Sequence, residues 1–78
     1  MVQYTEITVR TESGGGTVVR VDFPTSTEKG AGYTALHKLH SLSHDLSLNR
    51  DIPKAIEVTF REEVTELAAK ELIMDALK

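Results

Sequence analysis

The chain has 78 residues, a formal net charge of −3, 40% hydrophobic and 27% charged residues, and no cysteine. That length allows one α/β domain, residues 1–78, with a small interior, and the composition is that of a globular chain rather than a disordered one. The lack of thiols excludes disulfides, thiolate catalysis and cysteine zinc sites. The acidic balance argues against nucleic acid as a partner, since phosphate backbones demand a net basic face.

Met1 to Arg10 alternates polar and apolar residues, unlike the basic start and unbroken apolar run of a secretory leader. No apolar stretch approaches the roughly 18–20 residues that span a bilayer. The expectation is a soluble, cytoplasmic protein without membrane contact. Val2 to Thr11 is rich in β-branched residues at roughly period two, with Ile7 and Val9 on one face and Tyr4, Glu6, Thr8 and Arg10 on the other. Ser13-Gly14-Gly15-Gly16 is a loop that takes positive φ cheaply. Thr17 to Phe23 alternates more cleanly, with Val19, Val21 and Phe23 sharing a face. The two runs predict a β-hairpin.

Pro24 to Gly32 reads as a breaker segment. Thr34 is a suitable N-cap for a helix from Ala35 to Leu48, with Ala35, Leu36, Leu39, Leu42 and Leu46 in a stripe. A rival start lies at Thr25, where Glu28 completes a capping-box spacing. The cost of Gly30 and Gly32 inside a helix favours the later start. Asn49 is a reasonable stop, with Pro53 beyond it. Ala55 to Phe60 predicts a third strand with Ile56, Val58 and Phe60 inward. Glu62 to Lys78, rich in Ala, Leu, Glu and Lys, predicts a second helix with Glu62 and Glu63 complementing its dipole.

The reading is an α+β fold: a two-layer sandwich in the order β-β-α-β-α, with a three-stranded mixed sheet and both helices on one face. The first strand is expected in the middle. The third lies parallel to the second through a right-handed crossover. The outer face collects Glu6, Thr8, Arg10, Arg20, Asp22, Glu57 and Thr59, with solvated cross-strand pairs such as Glu6 with Arg20.

Three patterns carry candidate chemistry. His37, His40 and His44, spaced i, i+3, i+7, share one side of the first helix and offer imidazoles to a metal. The motif lacks the Glu of an H-E-x-x-H arrangement and any Cys, and Asp45 is the one nearby carboxylate, so a solvated polar face accounts for it. Gly30 to Ala35 has the letters G-x-G-x-x-A of a dinucleotide loop, but it stands too far from the preceding strand in too short a chain. What survives is a small anion held by free N–H groups near Thr34. Gly32-Tyr33-Thr34-Ala35-Leu36-His37 resembles the opening of an ankyrin repeat over those six residues, which implies a Thr N-cap. Ser41, Ser43, His44 and Asp45 name triad residue types, but neighbouring helical positions diverge and cannot build a nucleophile–base chain.

The last helix is apolar over an unusually wide arc. Val64, Leu67, Met74 and Leu77 run along one side, and Ala68, Ala69, Leu72, Ile73 and Ala76 spread around another. Either the first helix covers this surplus, or an interface with a second copy or another protein does, or the helix end frays without a particular contact. The functional expectation is a non-enzymatic binding or assembly module, with no cofactor, that engages a protein partner or itself as a homodimer. Its contact residues would be Val64, Leu67, Ile73, Met74 and Leu77. The alternatives are an artificial scaffold without natural activity, and a small metal- or anion-binding protein.

Overall fold

A computed structural model describes residues 1–14, 16–41, 46–61 and 64–78. The order is β1 (Glu6–Thr11), β2 (Thr17–Asp22), α1 (Ser26–Ser41), β3 (Leu46–Ile52), β4 (Ala55–Phe60) and α2 (Glu66–Ala76). The four strands form one sheet in the order β1-β2-β4-β3, and every neighbouring pair is antiparallel. The fold is α+β. The expected three-stranded mixed sheet gives way to a four-stranded antiparallel one, with β2 and β4 in the middle and β1 at an edge.

The added strand is β3, whose first residues the helical stripe had claimed. Leu46 is four residues beyond Leu42, which suits a helix, but Leu46 and Leu48 also alternate as in a strand. Leu46 is buried in the core, opposite Phe60. Pro53 does not stand beyond a helix end. With Lys54 it forms the turn between Ile52 and Ala55, and Lys54 takes a φ of 56°.

Helix α1 starts at the rival position. The Thr25 hydroxyl accepts the Glu28 N–H at 3.1 Å, while the Glu28 carboxylate takes the Gln3 N–H at 3.0 Å. Thr34 lies mid-helix and donates its hydroxyl proton to the Gly30 carbonyl at 3.2 Å. The cost of Gly32 is offset by packing. A Cβ on Gly32 would stand 2.4 Å from the Phe23 ring, so only a glycine lets helix and ring approach this closely. In α2, the Thr65 hydroxyl caps by accepting the Ala68 N–H at 3.1 Å. The helix therefore opens with Glu66; Glu62, Glu63, Gly15 and the stripe residue Leu42 lie outside the described residues.

One sheet face and both helices build the core: Val19, Val21, Phe23, Ile56, Val58 and Phe60 from the sheet side, Leu36 and Leu39 from α1, Ala69 and Ile73 from α2, with Leu77 at its end. On the opposite face the expected Glu6–Arg20 pair does not form. Arg20 turns to Asp22 on its own strand at 3.2 Å, and Arg10 reaches across β2 to Glu57 at 3.0 Å. The stem of Arg10 thereby covers Val18, only 2% exposed although it faces away from the helices. The hydrogen bond that the Arg10 guanidinium donates to the Glu57 carboxylate holds its pKa above the usual value. No described helix is long and apolar enough to cross a membrane.

The two helical glycines separate packing from propensity. Gly32→Ala is expected to destabilise the chain by about 1–2 kcal/mol, the overpacking cost net of the helix gain. Gly30→Ala, whose Cβ meets nothing within 4 Å, should stabilise it by about 0.5–1 kcal/mol. Urea unfolding of the two variants checks this; equal shifts would refute the role given to Phe23. Relief of the left-handed Lys54 makes Lys54→Gly a further gain of roughly 0.5 kcal/mol, read in the same titration.

Candidate interaction surface

Helix α2 lies over β1 and β2, and its two ends are tied down. The Thr11 hydroxyl donates to the Glu66 carboxylate at 2.7 Å, and the buried Thr17 hydroxyl donates to the Val64 carbonyl at 2.6 Å. At the other end, the Val2 N–H donates to the Leu77 carbonyl at 2.9 Å. These anchors fix which residues of α2 face the sheet and which overhang its edge.

The five expected contact residues divide accordingly. Ile73 and Leu77 are 0% and 1% exposed and belong to the chain's own core. Val64 is half-buried against that core. Leu67 and Met74 stand at 69% and 37% exposure, about two helical turns apart on one side of α2. Met74 lines a groove with Met1, Val2 and Tyr4, on the N-terminal segment that leads into β1. Part of the wide apolar arc is thus absorbed inside the fold, and Leu67 and Met74 remain outside it.

Beside them runs the edge of β1. The Glu12 N–H donates to the Gly16 carbonyl at 2.7 Å, and the Phe23 N–H donates to the Lys54 carbonyl at 2.7 Å. Both bonds set the same ladder phase. Glu6, Thr8 and Arg10 direct their backbone groups to β2, while Ile7, Val9 and Thr11 direct theirs to the free edge. This edge is six residues long, has no proline, and keeps an unbroken register from Glu6 to Thr11; the ladder departs from it just before the strand, where the Thr5 N–H donates to the Asp22 carbonyl at 2.8 Å. The β3 edge differs. Its register shifts between Asn49 and Ile52, Pro53 follows, and Lys29 donates to the carbonyls of Arg50 and Ile52, each at 2.6 Å. Bulges, lysines and prolines are the usual protections of an edge strand.

The histidines occupy another region. His37 and His40 are exposed on α1 with ring centroids 5.8 Å apart, Tyr33 lies 5.8 Å from His37, and the Arg50 guanidinium sits 4.7 Å above the Tyr33 ring. His44, with Ser43 and Asp45, lies outside the described residues. Among the described residues no group of three metal-ligating side chains comes together. The anion reading at Thr34 loses its free N–H groups, because the helix already runs from Ser26 to Ser41. The Arg50–Tyr33 stack was illegible in the sequence, since it depends on β3 lying beside α1.

Comparison of the chain with protein-family models, curated proteins and solved structures finds no match.

The division of α2 predicts opposite outcomes for two aspartates. Ile73→Asp buries a charge where no partner waits and is expected to cost more than about 4 kcal/mol, leaving no cooperative unfolding transition by circular dichroism. Leu67→Asp should retain a cooperative transition. A folded Ile73→Asp protein would contradict the burial assigned to that side chain.

Proposed function

We propose that the chain is a non-enzymatic assembly module that associates through the outer side of α2 and the adjoining edge of the sheet. The observation that carries this reading is that two apolar side chains, Leu67 and Met74, stay exposed on a helix that packs on β1, an edge strand of unbroken register. Burying such a side chain yields about 1.5–3 kcal/mol relative to leaving it in water. An open strand edge supplies backbone donors and acceptors that only another strand fully uses. The remaining polar surface supports no rival chemistry of equal weight. The open sheet face is occupied by its own ion pairs, Arg10 with Glu57 and Arg20 with Asp22.

Sedimentation equilibrium over a wide concentration range tests the reading. The weight-average mass should rise with concentration, and Leu67→Asp and Met74→Asp should each raise the dissociation constant at least about tenfold, the loss of one buried apolar contact. A monomer mass at every concentration would overturn it.

A further inference from the structure

We infer that the occupant of the β1 edge is a second copy of this chain, paired antiparallel through β1 about a twofold axis at Thr8. The inference rests on the assembly reading above and names its partner and register. Only Ile7, Val9 and Thr11 direct backbone groups to the free edge, so a symmetric pairing must place these residues opposite one another. Three registers near the strand centre satisfy this, with the twofold at Ile7, Thr8 or Val9.

Charge chooses among them. With the axis at Thr8, Glu6 stands opposite Arg10 of the second copy, where it joins Glu57 and Glu12, which that guanidinium already holds at 3.0 and 3.2 Å within its own chain, and the symmetry makes the arrangement twice. With the axis at Val9, Glu6 would face Glu12, a like-charge contact. With the axis at Ile7, Arg10 would face Tyr4, and neither charge finds its opposite. Directly opposed charges on one sheet face stabilise when unlike and destabilise when like. On the other face the Thr8 register sets Ile7 against Val9 of the second copy. These two residues are only partly buried and already pack on the core, so pairing completes their cover. Two copies of α2 then lie antiparallel on the same side of the joined sheet. Leu67 of one copy is directed towards the Met74 end of the other.

The resulting interface is isologous, with the same patch used on both sides. It also joins the two four-stranded sheets into one continuous antiparallel sheet. Thr8 forms a non-hydrogen-bonded pair with its own counterpart in this register. Such pairs hold Cα atoms about 4.5 Å apart, inside the range a disulfide bridges.

The chain has no cysteine, so a single introduced thiol reports on register alone. Thr8→Cys is expected to oxidise to a disulfide-linked dimer in high yield at concentrations where the native chain associates. Glu6→Cys and Arg10→Cys should stay uncrosslinked. Their counterparts would lie four residues along the strand, on the order of 14 Å away, beyond disulfide reach. Glu6→Lys, which sets two cations opposite each other, should weaken association about tenfold by sedimentation while leaving a folded monomer. Association with crosslinking at Ile7→Cys or Val9→Cys but not at Thr8→Cys would overturn the register and leave the assembly reading standing. Association that survives Glu6→Lys unchanged, with no crosslink at any β1 position, would remove β1 from the interface. A chain that never associates would overturn both proposals together.

Discussion

The seating of the Phe23 ring against Gly32 governs how the two layers meet. The first two turns of α1, from Ser26 to Gly32, offer no large apolar side chain to the core. The sheet fills that space instead, with a ring that is 3% exposed at the end of β2. A glycine in a helix interior costs about 1 kcal/mol relative to alanine, and here the cost is offset by a contact no other residue permits. Further along, Leu36 and Leu39 fill the core from the helix side in the ordinary way. The close approach also brings Lys29 within reach of two carbonyls of β3 and sets Tyr33 beneath Arg50. The helix thus guards one edge of the sheet because Gly32 lets it sit so close.

This contact also explains where the sequence was legible. The β1–β2 hairpin was readable because period-two alternation and a glycine loop agree locally, and the inward faces of β2 and β4 follow from the same alternation. Residues 26–34 failed because glycine was weighed by propensity alone, and propensity cannot see a ring arriving from another strand. Leu46 to Ile52 failed for a related reason. The spacing of Leu36, Leu39, Leu42 and Leu46 is helical, and the competing alternation of Leu46 with Leu48 is only two residues deep. What decides between them is β4, which offers β3 a partner across a tight Pro53–Lys54 turn. In the contact surface, Leu67 and Met74 could be read as apolar positions in α2. Ile73 and Leu77 could not be told apart from them until the helix was laid on the sheet, because an arc that wide fixes no rotation.

The two edges of the sheet received unequal treatment, and the difference bears on what assembly the chain can support. On the β3 side, a bulge, an Asx contact from Asn49 to the Asp51 N–H at 3.0 Å, a proline and a lysine interrupt the backbone pattern that another strand would need. On the β1 side the pattern is regular from Glu6 to Thr11. Sheets with two open edges invite head-to-tail growth. One open edge beside one guarded edge allows a single pairing event and then stops.

The charge order of β1 points the same way. Glu6 and Arg10 stand two residues to either side of Thr8, so the strand is complementary to itself only when reversed. A parallel copy in the same register would set Glu6 against Glu6 and Arg10 against Arg10. In the proposed dimer, direction and register would come from one pair of charges, and termination from the other edge. The free energy for closing such a dimer would come mainly from elsewhere: exposed cross-strand ion pairs contribute little individually, whereas Leu67 and Met74 bring apolar area that the monomer leaves in water. In the proposed dimer, polar groups on the strand would set the geometry and apolar groups on the helix would supply the affinity, a division of labour usual in protein interfaces. Such a pairing would also add buried surface to that of the small core.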